Sequence, residues 1–111
     1  MARAVCLTED AARDLEELYD YVAEHDSPAK ADHLLDRIEA TLASLTELPE
    51  RGSHPKELIE LGIHEYRQVS FKPYRLIYRR LDETVYVYLI VDGRRDMRTL
   101  LQRRLFAAKP G

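Results

Sequence analysis

The sequence predicts an α+β fold in which a helical hairpin packs on a mainly antiparallel four-stranded sheet, in the order β-α-α-β-β-β-α. Two helical stripes run through residues 9–48, the hydrophobic period changes to that of strands after residue 64, and a last amphipathic stretch follows the Asp92-Gly93 turn. With 111 residues, 45% hydrophobic and 33% charged, the chain has the balance of one compact domain spanning 1–111, which excludes disordered, collagen-like and low-complexity classes. A chain of this size buries about 65% of the surface its unfolded form exposes, enough for a core without metal or disulfide support.

Taken in order, the apolar run 2–7 reads as a first strand. Thr8 then caps a helix whose positive end suits Glu9 and Asp10. Ala11, Ala12, Leu15, Leu18, Tyr19 and Val22 recur at helical spacing, with Asp14, Glu16, Glu17, Asp20 and Glu24 assigned to the other face. Ser27-Pro28 restarts the chain as a cap followed by Pro at the first helical position. Ala31, Leu34, Leu35, Ile38, Leu42, Leu45 and Leu48 form a second stripe, ended by Pro49. Residues 49–64, with Pro49, Gly52, Pro55 and Gly62, read as a loop holding one short turn near 56–61.

Residues 65–71, 74–81 and 84–91 are rich in Tyr, Val, Ile, Phe and Arg and read as three strands joined through Lys72-Pro73 and Asp82-Glu83. Both alternating sets of the last strand are largely apolar, so it should be central and covered on both faces. Asp96 caps a final helix, 96–105, with Met97, Leu100, Leu101 and Leu105 assigned to one face and Arg98, Arg103 and Arg104 to the other. The sheet face opposite the hairpin would need this helix or a partner as cover.

Charge is split along the chain. Residues 1–60 hold 6 Lys/Arg against 15 Asp/Glu and residues 61–111 hold 11 against 5, so a net charge of −3 conceals an acidic first half and a basic second half. Either the basic half meets an acidic partner or nucleic acid, or the two halves pair internally. A single cysteine, Cys6, excludes an internal disulfide and fits a reducing cytosol. One Cys and four scattered His make no metal set, and no cofactor motif is present. No apolar stretch approaches the ~18 residues of a membrane span and the N-terminal run is short for a signal peptide, so a soluble cytoplasmic protein is expected.

No nucleophile–base motif stands out, and the arginines are more informative. Arg75 and Arg79 are four apart on one strand and share a face, and Arg67 and Arg95 are expected to join them from neighbouring strands, with Arg94 beside Arg95. Such a row suits phosphate or an acidic protein tail, which the planar guanidinium binds bidentately. Tyr66, Tyr74, Tyr78, Tyr86 and Tyr88 interleave with it, either as stacking surfaces or as ordinary sheet packing.

The segments Thr8–Leu15 (TEDAARDL) with Tyr19, Tyr66-Arg67, Pro73–Arg79 (PYRLIYR) and Val91–Asp96 (VDGRRD) running into Leu100–Leu105 together resemble the RelE/ParE superfamily of small bacterial toxins from type II toxin–antitoxin systems, and the ParE branch most. The resemblance implies a toxin neutralised by a cognate antitoxin in a hetero-oligomer, the antitoxin's extended or helical segment lying across the helical hairpin and basic sheet. ParE-like members bind DNA gyrase and trap its cleaved-DNA state without chemistry of their own. RelE-like members are ribosome-dependent mRNA endonucleases, and in that alternative Arg67, Arg75 and Arg95 would supply the cations for the phosphorane charge. Leu101 stands where a RelE-like tyrosine would, and Val69 stands near the place of a sheet lysine, so a gyrase binder is the expectation. A net-acidic chain also suits a gyrase binder better than a ribosome-directed nuclease. A non-toxic interaction module is the second alternative. The surface expected to meet target or antitoxin comprises Arg67, Arg75, Arg79, Arg94, Arg95, Arg98, Arg103 and Arg104, and the antitoxin segment is expected to be acidic or amphipathic.

Overall fold

The computed structural model describes residues 2–106. Strand β1 (Ala4–Leu7) leads into helices α1 (Glu9–His25) and α2 (Pro28–Glu47), the short helix α3 (Lys56–Ile59), strands β2 (Tyr66–Phe71), β3 (Tyr74–Leu81) and β4 (Thr84–Asp92), and helix α4 (Met97–Leu101). From α4 the chain continues as one π-helical turn, Gln102–Phe106. The β-α-α-β-β-β-α order read from the sequence holds, with α3 as the turn expected near 56–61. The first strand begins at Ala4 rather than Ala2, and the outermost residues of the expected 1–111 domain, 1 and 107–111, lie outside the described residues.

Three short polar side chains start the helices as anticipated. The Thr8 hydroxyl accepts from the Ala11 N–H at 3.1 Å, Ser27 from Lys30 at 3.1 Å, and Asp96 from Thr99 at 3.3 Å, each satisfying a donor that the first turn leaves without a partner. The sheet runs β1-β4-β3-β2, with β1 parallel to β4 and the other pairs antiparallel. β4 is therefore central. Strict alternation along it does not survive, however. Ile77 faces Leu89 while Tyr78 faces Val87, so Tyr88 is an extra residue in a β-bulge. The bulge resets parity: Val85, Val87 and Ile90 meet the hairpin, and Leu89 and Val91 meet the opposite side.

Two apolar clusters follow from this. On the hairpin side, Ala11, Leu34, Ile38 and Leu45 pack on Leu76, Tyr78, Val85 and Val87. On the other side, Leu58 of α3 and Met97 and Leu101 of α4 cover Tyr66, Ile77, Leu89 and Val91, so the chain itself closes much of the face that the sequence left open. The 49–53 loop is fastened from within. The Tyr78 hydroxyl donates to Pro49 O at 2.7 Å and accepts from the Gly52 N–H at 3.0 Å. A Cβ at Gly52 would lie 2.5 Å from Gln68 O and 2.8 Å from that hydroxyl, which is why the close approach requires glycine.

Candidate functional site

The two-residue connection Lys72-Pro73 fixes which arginines share a face. It sets Phe71 opposite Tyr74 and therefore Arg67 opposite Tyr78. Arg67 thus lies on the hairpin side, where its guanidinium donates to Gly52 O at 2.8 Å and Glu50 O at 3.3 Å, whereas Arg75 and Arg79 lie on the opposite side. The expected row of Arg67, Arg75, Arg79 and Arg95 does not form. Arg75 is also engaged: it holds Glu57 of α3 through two hydrogen bonds of 2.9 Å and donates twice to Gln68 Oε1. Its side chain is 14% exposed and that of Glu57 11%, and Gly93 packs against its stem, where a Cβ would lie 2.7 Å from Cδ. The Arg75 guanidinium holds the Glu57 carboxyl below its ordinary pKa. Arg79 lies over the Tyr66 ring, 5.7 Å from its centroid.

Arg104 departs furthest from the expectation of a solvated basic helix face. It makes a bidentate pair with Asp14 of α1 at 2.7 and 2.8 Å and donates to Tyr88 O at 3.0 Å, the carbonyl of the bulge residue. Asp14 is buried and also accepts from the Ile90 N–H at 3.1 Å. Both Asp14 oxygens and both terminal nitrogens of Arg104 are hydrogen-bonded, and Nε faces Asp10 at 3.8 Å, which is the kind of satisfaction under which a buried ion pair is tolerated. The spacing explains its place: Arg104 follows Met97 by seven residues and Leu101 by three, so it belongs to the apolar stripe. Asp14 in turn lies three residues from Ala11 and four from Leu18, again within the stripe.

Arg94, Arg95 and Arg103 line two clefts that share Arg95, whereas Arg98 lies beside a separate one between α3 and α4. Arg94 pairs with Asp92, with distances down to 2.6 Å, and holds that carboxyl below its ordinary pKa. Arg98 pairs with Glu60 at 2.5 Å. Arg95 and Arg103 are exposed and make no side-chain hydrogen bond or ion pair among the described residues. Both line a cleft of about 190 Å³ beside Thr99 and Leu100. Arg95 also borders a larger cleft of about 380 Å³ between α1 and the end of the sheet, floored by Leu18, Tyr74 and Ile90. Desolvation raises the Tyr74 hydroxyl pKa there.

On the far side of the hairpin lies a third, shallow cleft of about 290 Å³, formed by Ala12, Leu15, Glu16, Tyr19 and Asp20 of α1 and Leu35 of α2. The Tyr19 hydroxyl donates to Asp32 at 2.5 Å and so ties the two helices together. That bond is the first cause of the raised Tyr19 pKa.

The family model described as ParE toxin of type II toxin-antitoxin system, parDE, matches residues 5–97. The chain belongs to the ParE toxin family. Among solved structures it is similar to one titled as a chromosomal ParDE TA system from P. aeruginosa, with a TM-score of 0.65 and 19% identity over 80% of this chain and 94% of that one. At that identity the likeness concerns the fold. No curated protein matches the sequence.

The ParE family match ends at Met97, so most of α4 and the whole π-helical turn lie beyond it. This is the segment that supplies Leu101, Arg103 and Arg104. Sequence reasoning missed three partners that decide which arginines are available: Asp14, Glu57 and the carbonyls of the 49–53 loop. A charged residue inside an apolar stripe was the available signal for Asp14 and Arg104. Nothing in the linear pattern pointed to Glu57, which meets Arg75 only once the chain has folded.

Proposed function

We propose that the chain is the toxin of a type II pair, that it acts in the cytoplasm by binding DNA gyrase without chemistry of its own, and that a cognate antitoxin neutralises it in a hetero-oligomer. The observation that carries this reading is the ParE family match over residues 5–97. The placement of the arginines supports binding over catalysis. Arg67 and Arg75 stand on opposite sides of the sheet and both are engaged within the chain, so the trio with Arg95 offers no common pocket for a phosphorane. Leu101, at the place of the RelE-like tyrosine, is 1% exposed and packs against the sheet. The surface offered to gyrase is centred on Arg95 and Arg103, with Arg94 and Arg98 at its rim.

Purified chain should inhibit gyrase supercoiling, and its induction without antitoxin should arrest growth with a DNA-damage response. Normal supercoiling, together with codon-linked mRNA cleavage in a translating extract, would overturn the proposal in favour of a ribosome-dependent nuclease.

A further inference from the structure

One row of side chains crosses the whole sheet on the face opposite the hairpin. Register sets Cys6 beside Tyr86, Tyr86 beside Arg79 and Arg79 beside Tyr66, and antiparallel neighbours of this kind have Cβ atoms about 5 Å apart. The face follows from alternation: Val85 and Val87 meet the hairpin, which turns Tyr86 away from it, and Tyr66 belongs to the opposite cluster. Arg79 lies over the Tyr66 ring, 5.7 Å from its centroid, and Tyr88 meets the same ring edge-on at 5.5 Å.

Unlike Arg67, Arg75 and Arg104, Arg79 makes no side-chain hydrogen bond or ion pair among the described residues, and neither do the hydroxyls of Tyr66, Tyr86 and Tyr88. Burial raises the Tyr88 hydroxyl pKa, and the ionisable groups that act on it are Tyr66, Arg79 and Tyr86, with no carboxylate among them. The acidic hairpin lies across the sheet and does not compete for this guanidinium. On the β1 side the row stays open, because Ala4 and Cys6 are short and exposed and Tyr86 and Arg79 are only half-buried. A planar cation with unspent donors beside aromatic rings on an open strand surface suits a phosphate and a base together.

We propose that this row binds a single nucleic-acid strand, one phosphate on the Arg79 guanidinium and the adjacent base against the Tyr86 ring, with the Tyr66 and Tyr88 hydroxyls as further donors. The inference goes beyond the gyrase reading, which uses Arg95 and Arg103. It also lies apart from the trio considered for RelE-like chemistry, since Arg79 follows Arg75 by about 13 Å along β3. A duplex keeps its bases stacked on one another, so an unpaired strand is the form that can offer a base to Tyr86.

The probe is a 5′-labelled oligo-dT of about eight nucleotides, titrated with the full chain and read by fluorescence anisotropy at about 0.05 M salt. It should bind about fivefold or more tightly than a hairpin duplex of equal length. Arg79→Gln should weaken binding about fivefold or more and take about 0.7 off the slope of log affinity against log salt, the share of one phosphate contact on a single strand. Arg80→Gln removes the same charge one residue along, from a side chain that pairs with Glu50 on the hairpin side, and should leave affinity within about twofold. Tyr86→Leu should weaken binding about fivefold or more, and Tyr86→Phe, which keeps the ring, should stay within about twofold. Absence of oligo-dT binding, or full affinity in Tyr86→Leu, would overturn the proposal. So would an equal loss from Arg80→Gln, equal binding of the duplex, or displacement by octaglutamate as readily as by unlabelled oligo-dT, each of which would show mere attraction of anions. If Tyr86→Leu does not fold, the contrast between Arg79→Gln and Arg80→Gln still decides. Growth arrest does not enter the titration, so the outcome stands whether or not the gyrase reading does.

Discussion

In α1 and α2 the carboxylates Glu16, Asp20, Glu24, Asp36 and Glu39 stand in solvent without an ion pair among the described residues, whereas in the strands and the C-terminal segment Arg67, Arg75, Arg94, Arg98 and Arg104 each hold a carbonyl or a carboxylate. The two regions carry opposite net charge, and the basic one spends more of it on distant partners within the chain: on α1 and α2 the pairs Arg13–Asp10 and Lys30–Asp26 are local, and among the described residues Asp14 alone is clasped from afar, by Arg104. The cause is geometric. The outer face of a helical hairpin has no chain above it, so its side chains meet water or a partner. A strand near a sheet edge has loops and short helices beside it, and a long guanidinium reaches them. Net charge counted by sequence segment therefore identifies where charge is encoded, and pairing decides where it is displayed.

Two adjacent arginines that the sequence treats alike should differ most when substituted. Arg104→Ala leaves Asp14 buried with the Ile90 N–H as its one remaining close donor, and should cost roughly 3 kcal/mol, a large share of a small domain's stability. Arg103→Ala should change stability by less than about 0.5 kcal/mol. Urea unfolding with an unchanged slope would measure both. Equal effects would show that the clasp is not a structural tie.

A packing control sharpens the same point. Leu101 is 1% exposed against Tyr66, Ile77 and Leu89, so Leu101→Ala should cost about 2–4 kcal/mol through lost transfer free energy and the cavity it leaves. Leu100 is only partly buried and should cost roughly half that or less. If Leu100→Ala proved the more damaging, α4 would be rotated about its axis relative to the present packing.

The Arg75–Glu57 pair should come next, at roughly 2 kcal/mol for Arg75→Ala, because both side chains are largely covered. Its pH dependence has a definite sign. Glu57 has a folded pKa below its ordinary value, so its contribution is complete above that ordinary value and is lost as pH falls through the folded one. Glu57→Gln should flatten the acid limb of stability against pH, and an unchanged limb would show that other carboxylates carry it.

Much of the fold was legible in the sequence because it rests on local signals. Thr8, Ser27-Pro28 and Asp96 mark three helix starts and make the three expected cap bonds, and the change of period after residue 64 marks the sheet. The candidate site was less legible because it depends on parity and on long-range partners. The two-residue turn at Lys72-Pro73 already implied that Arg67 faces away from Arg75, a consequence available from register. The bulge at Tyr88 was not available, since both residue sets of β4 are apolar and either phase reads as a buried strand. Asp14 and Arg104 were misplaced on polar faces because charge was allowed to outweigh spacing.

Exposed arginines should affect function without affecting stability. Arg95→Gln/Arg103→Gln should abolish growth arrest while stability stays within about 0.5 kcal/mol. Persistence of toxicity would move the effector surface off the α4 cleft.

The smallest expected effect lies on the acidic half, at the bond from Tyr19 to Asp32. The Tyr19 hydroxyl has a folded pKa above its ordinary value, chiefly because it donates to the Asp32 carboxylate. Its contribution is therefore complete below the ordinary value and is lost as pH rises through the folded one. Tyr19→Phe should lower the unfolding midpoint slightly at neutral pH and remove a shallow alkaline loss that wild type shows, as a pH series of thermal melts would record. The change should stay well below that of Arg104→Ala, because the two helices are held mainly by Ala11, Leu34, Ile38 and Leu45 on the sheet rather than by polar ties. A loss as large as that of Arg104→Ala would mean that the hairpin, too, depends on a specific polar clasp, and the contrast between a displayed and an internally spent set of charges would no longer separate the two regions.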